Sequence, residues 1–139
     1  MGEDSATAST RADRGLALMT EMLGPELVSR ISERNRIAPD WQRWTTEVLF
    51  GEVWQDDVLS RRIRSMITIA ALVPTTRARE LENHMRAALT ANGVSAEELS
   101  AVIQHVGFYA GWPAVGEALG ILDRILREAA DRSSAGDQS

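Results

Sequence analysis

The sequence contains no cysteine and only two histidines, His84 and His105. Thiol and disulfide mechanisms need a sulfur nucleophile, so the missing cysteine excludes thiol peroxidase chemistry. A cysteine-rich structural zinc site is excluded for the same reason. The two histidines are far apart in the sequence and form no HxxxH or HExxH spacing, so they give no metal pair. We therefore predict no metal.

Long apolar runs and a positive net charge are absent as well. No apolar run approaches the ~20 residues that a membrane-spanning helix requires, so a membrane is not an expected partner. There are 20 acidic and 15 basic residues, which gives a formal net charge of −5. Binding to a polyanion depends on a basic face, so nucleic acid is not an expected partner either.

The segment from Met1 to Ser5 lacks the basic and apolar parts of a signal peptide, and we expect a cytoplasmic protein.

The length and composition are those of one globular domain. The chain has 139 residues, of which 44% are hydrophobic and 25% are charged. Residues 1–12 and 131–139 are rich in small and polar side chains and show no apolar period. We predict that these two segments are disordered tails around a helical domain at residues 13–130.

Apolar residues recur at helical spacing throughout that domain, and no strand pattern is present. Two short helices are predicted on either side of the Gly24-Pro25 break, and a third helix follows Pro39 and leads into Gly51. Four further helices are predicted. The first is capped by Ser60 and ends at Pro74, and the second covers residues 77–91. The third begins with a capping box at Ser95, and the fourth covers residues 114–130. The predicted fold class is therefore all-α, a compact bundle of six to seven helices.

The helix after Ser60 has two notable patterns. Its predicted inner face consists of Ile63, Met66, Ile67, Ala70 and Ala71. Near its start it carries Arg61, Arg62 and Arg64. Positive charge at this end opposes the helix dipole, so a bound anion or an acidic neighbour is expected there. In the next helix Leu81, His84, Met85, Ala88 and Leu89 share one stripe, so His84 lies beside an apolar face.

Three segments occur in an order that few small helical proteins have. They are Phe50-Gly-Glu-Val-Trp54, the helical run that ends at His84, and His105-Val-Gly-Phe-Tyr-Ala-Gly-Trp-Pro113. Together with Arg64, Thr68 and Ala70-Ala71-Leu72, these segments resemble the carboxymuconolactone decarboxylase family over roughly residues 35–126. The resemblance implies the all-helical fold of the alkylhydroperoxidase D-like proteins, with a central helical hairpin. It also implies a homo-oligomer of three or six subunits.

The same resemblance separates this chain from the peroxidase-like relatives. In those relatives a CxxC motif is followed by a histidine, with three residues between the second cysteine and the histidine. Counted back from His84, the two cysteine positions are occupied here by Arg77 and Glu80. Ser65 stands where they have a relay glutamate, so only His84 remains of the relay. The pattern is typical of the decarboxylase branch, and it implies a cofactor-free lyase.

Loss of carbon dioxide from a carboxymuconolactone leaves a dienolate-like carbanion, which calls for a carboxylate anchor and a proton donor. The resemblance implies Arg64 as the anchor, His84 as the proton donor, and Glu52 as a group that orients the imidazole or accepts a proton. No cofactor is needed, because the substrate is its own electron sink. The expected substrate-binding residues are Trp54, His105, Tyr109 and Trp112.

Each of these residues also has a structural interpretation. Taken alone, His84 would more often be a core histidine, and Glu52 could be a solvated helix end. Arg64 could equally pair with Glu80 or Glu82. The segment that begins at His105 could serve packing and subunit contacts. The alternative function is therefore a non-catalytic oligomer that binds a small molecule.

The chain departs from the family pattern near the expected site. Asp56 and Asp57 occupy a loop where the relatives have a basic residue, and two acidic groups would repel a dicarboxylate. Ala101 stands where the relatives have a glutamate four residues before His105. These changes favour a more apolar substrate and a biosynthetic tailoring step, such as decarboxylation, dehydration or cyclisation.

Overall fold

The computed structural model describes residues 9–136, apart from the side chain of Asn35. Within this range the regular structure is all helical, and the predicted all-α class is confirmed. The α-helices are α1 (Arg11–Leu23), α2 (Pro25–Ser32), α3 (Pro39–Arg43), α4 (Arg61–Leu72), α5 (Ala78–Thr90), α6 (Ala96–Ala110) and α7 (Trp112–Gly136). Between them lie a π-helical segment, Trp44–Phe50, and two short 3-10 turns, Glu33–Arg36 and Val53–Gln55. None of the helices in the described range is both long and apolar enough to cross a bilayer.

Side-chain caps define where the main helices begin. Ser60 accepts a hydrogen bond from the backbone N–H of Ile63, and Ser95 forms a reciprocal capping box with Glu98, as their sequence positions predict. A second capping box joins Thr10 to Asp13 and starts α1 at Arg11. Both predicted tails are therefore partly helical, because α1 includes residues 11–12 and α7 continues through residue 136. The rest of the predicted tails, 1–8 and 137–139, lies outside the described residues.

The chain forms two compact units, which meet in sequence at Val58 and Leu59. In the first unit α1 packs on the π-helical segment. Its buried side chains are Leu18, Met19, Met22, Val28, Ile31, Phe50 and Trp54. The single domain at 13–130 stays a prediction of the sequence.

Two glycines allow the close approach of α1 in this first unit. A Cβ atom at Gly15 would overlap the carbonyl oxygen of Thr46, and one at Gly51 would overlap the carbonyl oxygen of Arg11. Only glycine fits at these crossings without backbone movement. Gly15 and Gly51 therefore allow the short distance between α1 and the π-helical segment.

In the second unit α5 packs against α4 and α7, and α6 packs against the same two helices. The buried core is formed by Ile69, Val73, Leu81, Met85, Ala88, Val94, Leu99, Ile103, Val115, Ala118, Ile121, Leu122 and Ile125. The predicted apolar stripe of α5 is confirmed, since Leu81, Met85 and Ala88 are all buried.

The predicted inner face of α4 is wrong in part. Ile63 and Ile67 are 38% and 52% exposed, whereas Ser65 and Ile69 are buried. The helix is thus rotated so that a face with a serine, and not the most apolar face, meets the core. On the buried face, Asn92 Nδ2 donates to Ser65 Oγ at 2.7 Å, so the serine hydroxyl has a partner in the core.

Ion pairs join α5 to α7 on the surface of the second unit. Glu82 accepts hydrogen bonds from Arg124 at 3.0 Å and from Arg86 at 2.7 Å, and Arg86 also donates to Glu128 at 2.6 Å. The guanidinium of Arg124, followed by that of Arg86, lowers the pKa of Glu82 to about 2. Glu82 is therefore ionised at neutral pH and engaged by two arginines.

The substitution Gly15→Ala tests the close approach of α1. An alanine in a helix normally stabilises, but here the methyl group would overlap a backbone oxygen, so we expect a loss of about 1–3 kcal/mol in the free energy of unfolding. Urea denaturation measures this change. Gly120→Ala in α7 is the control, because a Cβ there meets open space and should stabilise by about 0.4–1 kcal/mol. Equal effects of the two substitutions would contradict the packing described.

Candidate active site

His84 lies in the middle of α5, between the buried residues Leu81 and Met85. Its side chain is half-buried. Burial lowers the pKa of His84 from its ordinary value of 6.5, and the carboxylate of Glu80 one turn earlier opposes that change to a smaller extent. The imidazole is therefore neutral at neutral pH. A neutral imidazole has one N–H donor and one acceptor nitrogen, so it can pass a proton in either direction.

Ser65, which stands where the resemblance leads one to expect a relay glutamate, lies in the core on the neighbouring helix α4. Ser65 is 1% exposed and Asn92 is 5% exposed, and these two side chains hydrogen-bond to each other. Neither side chain titrates in the physiological range. Because the position holds a hydroxyl group and no carboxylate, a thiol relay of the peroxidase kind cannot operate here even apart from the missing cysteines.

Arg64 lies in the first turns of α4 and is half-buried. Its Nε donates to the backbone oxygen of Leu59 at 3.1 Å, which holds the guanidinium at the N-terminal end of the helix. This end of a helix also attracts anions through its dipole and its free N–H groups. Arg62, in the same cluster, forms an ion pair with Glu98 of α6, so an acidic neighbour accounts for one of the three arginines.

Glu52 belongs to the first unit and lies between the π-helical segment and the following 3-10 turn. Its carboxylate forms an ion pair with Arg11 at the start of α1, and the side chains are 44% and 56% exposed. Trp54, expected to line a pocket, is instead 5% exposed and stacks on Phe50 with ring centroids 6.1 Å apart. The carboxylate of Glu52 is thus open to solvent, whereas the neighbouring ring of Trp54 is part of the packing.

An apolar groove runs between α4 and α6 in the second unit and has a volume of about 530 Å³. It is lined by Ile63, Met66, Ile67, Ala70, Ala101, Val102, His105 and Val106. His105 is the single titratable side chain in this lining, and Ala101 lies one turn before it. With alanine at this position, the wall of the groove one turn before His105 is apolar.

The remaining predicted binding residues lie on the surface near the end of α6. Tyr109 is 82% exposed, and its ring lies 5.2 Å from that of His105. Trp112 is 60% exposed and makes an edge contact with Phe108 at 5.4 Å. Three exposed aromatic side chains thus lie near the junction of α6 and α7, and we call them the aromatic patch: Phe108, Tyr109 and Trp112.

The predicted site residues are therefore divided between the units. Glu52 and Trp54 belong to the first unit, and Arg64, His84, His105, Tyr109 and Trp112 belong to the second. Of these, only His105 lines the groove. Over residues 9–136 no group of three or more histidine, aspartate or glutamate side chains is arranged to hold a metal ion.

Two features were not predicted from the sequence. The groove was missed because Ile63 and Ile67 were assigned to the core, although their spacing with Ala70 does indicate a continuous apolar face. Arg11 was missed because it was placed in a disordered tail. The Thr10 and Asp13 spacing of a capping box was the signal that could have found it.

The chain is similar to known proteins over most of its length. The model of the carboxymuconolactone decarboxylase family matches residues 39–124. The 4-carboxymuconolactone decarboxylase of Acinetobacter baylyi is 37% identical over 119 residues, which cover 85% of this chain and 88% of that protein. The nitrosuccinic acid decarboxylase npaB of Metarhizium robertsii is 28% identical over 121 residues, which cover 86% of this chain and 84% of that protein. The chain described here belongs to the carboxymuconolactone decarboxylase family.

Proposed function

We propose that this protein is a cofactor-free carbon-carbon lyase that removes carbon dioxide from a small carboxylic acid. Two relatives that each align with more than four fifths of the chain are both named decarboxylases. The observation that carries the proposal is the half-buried His84, whose pKa is lowered by burial in the helix that the family match includes. A desolvated imidazole is suited to proton transfer at neutral pH.

The names of the two relatives point to one kind of chemistry. A lactone carbonyl and a nitro group both withdraw electrons from a neighbouring carbon. When the carbon-carbon bond to the carboxylate breaks, the electron pair passes into that group and carbon dioxide leaves. The carbanion then takes one proton from solvent. The substrate therefore supplies its own electron sink, and the protein has to bind the carboxylate and deliver the proton.

Within the second unit, we assign these two tasks to Arg64 and His84. Arg64 would bind the carboxylate at the N-terminal end of α4, where the helix dipole adds to the attraction. His84 would give the proton on one ring nitrogen to the carbanion and take another from water on the second nitrogen, so the imidazole is neutral before and after the step. The hydroxide left from that water combines with the released carbon dioxide as bicarbonate, which balances charge and protons. Separately, we propose that Glu52, whose carboxylate is exposed in the first unit, can accept a proton.

The substrate proposed for this chain has a more apolar body than a dicarboxylate has. The groove between α4 and α6 is a separate apolar surface of the second unit, which Arg64 and His84 do not line and in which His105 supplies one polar contact. Apolar walls with few polar groups are usual for sites that bind small molecules. Such a substrate fits a tailoring step in a biosynthetic pathway, in which the decarboxylation itself is unchanged. A cytoplasmic location stays a prediction of the sequence.

A homo-oligomer is proposed as well, and the aromatic patch supports it. Phe108 is 80% exposed and Tyr109 is 82% exposed, and large contiguous apolar patches usually mark an interface. Trp112 continues the same surface.

Replacing His84 tests the proposed reaction. With 4-carboxymuconolactone as the first substrate, we expect His84→Ala to lower kcat roughly 10²–10⁴-fold, the usual contribution of a proton-transfer group. Released carbon dioxide and lactone absorbance measure the rate. Arg79→Ala, on an exposed position of the same helix, is the control and should retain the wild-type kcat. A folded His84→Ala variant with full activity would refute the role of His84, and an inactive wild type would favour a different substrate in a tailoring step or the non-catalytic binding oligomer.

The pH dependence of the rate tests the protonation state of His84. Because burial lowers its pKa below 6.5, the neutral form is present at neutral pH and is lost only as the pH falls. We therefore expect kcat/KM to be constant near neutral pH and to decrease on acidification below 6.5. The residual rate of His84→Gln should lack this acid limb. A rate that increases on acidification through this range would show that the charged imidazole is the active form.

The double substitution Phe108→Ser and Tyr109→Ser tests the proposed oligomer. Both side chains are mostly exposed, so the change should leave the fold intact while it removes apolar contact area. Sedimentation velocity should show an assembly for the wild type and a lower mass for the variant. The control is Val58→Ser, which removes an 83% exposed apolar side chain outside the patch. A monomeric wild type would rule out this proposal.

A further inference from the structure

The groove between α4 and α6 leads to the aromatic patch of the second unit. Near the N-terminal ends of the two helices, Arg62 of α4 forms an ion pair with Glu98 of α6. Further along α6, His105 lines the groove, and its ring lies 5.2 Å from that of Tyr109 in the patch. One wall of the groove and two of the three patch residues therefore belong to the same helix.

This surface carries neither carboxylates nor arginines. Residues 99–112 contain no charged side chain of the Asp, Glu, Lys or Arg types, and neither do residues 65–73 on the α4 side, although 25% of the chain is charged. The chain as a whole has a formal net charge of −5. Two copies of such a chain repel each other least where uncharged surfaces meet. A second copy is therefore an occupant that the charge distribution favours.

The patch and the groove are also complementary in size. Phe108 and Tyr109 are 80% and 82% exposed, so their rings project from the surface. The groove has a small side chain in each wall, Ala70 in α4 and Ala101 in α6. Large side chains of one helical surface pack between small side chains of a facing one. The aromatic patch of one copy thus suits the groove of another.

The spacing along α6 fits a two-fold axis at His105. Ala101 and Val102 of the groove lie four and three residues before His105. Phe108 and Tyr109 of the patch lie three and four residues after it. Residues at these spacings lie on one side of a helix. A two-fold axis at His105 would place α6 of two copies antiparallel, with the groove residues of each opposite the patch residues of the other.

We infer that a second copy of this chain binds on this surface, with the two α6 helices antiparallel and the aromatic patch of each copy covering the groove of the other. The inference rests on the proposed homo-oligomer and names the surface that forms it. Because a two-fold pair has two members, the assembly contains an even number of subunits. The groove, which is open in one chain, becomes an enclosed apolar site only when the partner copy supplies its cover.

A single introduced cysteine tests this geometry, because the wild-type chain has none. In His105→Cys the two thiols face each other across the axis, so mild oxidation should link most of the protein into disulfide dimers on a non-reducing gel. Gly120→Cys in α7 is the control. A Cβ atom there meets open space outside this surface, and the variant should stay largely unlinked. Equal linking of the two variants would contradict the two-fold arrangement.

The substitution Ile67→Arg tests the groove side of the contact without depending on thiol geometry. Ile67 lines the groove and is 52% exposed, so a single chain should tolerate the arginine. In the pair the guanidinium would be covered by apolar rings, and the dissociation constant should rise roughly 10²-fold. Sedimentation velocity over a concentration series measures this rise. Ala129→Arg, at an exposed position of α7, is the control with the same added charge and should leave the assembly unchanged.

Failure of this inference and failure of the proposed homo-oligomer give different results. A wild type with three subunits would overturn the two-fold pairing and leave the homo-oligomer standing. An assembly that survives Ile67→Arg, together with no linking of His105→Cys, would do the same and leave the groove to a small molecule. A wild type that is monomeric at every concentration would rule out both.

Discussion

The burial of one face of α5 is the constraint on which the proposed chemistry depends. Leu81, Met85 and Ala88 are buried where α5 packs against α4 and α7, and His84 lies on the edge of the same face. Water is thus partly removed from an imidazole, and the charged form is disfavoured. The packing that stabilises the second unit therefore also sets the protonation state of its candidate catalytic group, so stability and function share the same contacts.

A buried polar pair lies beside this helix in the core of the second unit. A carboxylate at the position of Ser65 would need a charged partner in the core, whereas its hydroxyl group is bound by the amide nitrogen of Asn92. The more apolar face of α4, with Ile63 and Ile67, is turned away from the core. That face forms one wall of the groove, and Ala101 lies in the opposite wall. The exposed side of α4 is therefore a surface suited to an apolar ligand.

The sequence predicted the helices and the position of His84 because both depend on local signals. Apolar spacing indicated α5, and the Ser60 and Ser95 caps indicated where α4 and α6 begin. The orientation of α4 was not predictable, since it depends on how the helix packs against α5 and α6 and not on its own apolar spacing. The contact between Arg11 and Glu52 spans 41 positions and was hidden by the polar composition around α1. Local patterns predict elements, whereas long-range polar contacts decide which faces meet.

An NMR titration of the His84 imidazole tests most directly the claim that this group is neutral in the working protein. A His105→Asn variant identifies the signal, since the chain has only two histidines. The account predicts that His84 titrates below 6.5 and that this midpoint coincides with the acid limb of kcat/KM. A midpoint at or above 6.5 would contradict it, because burial would then not be the dominant influence on the pKa of His84.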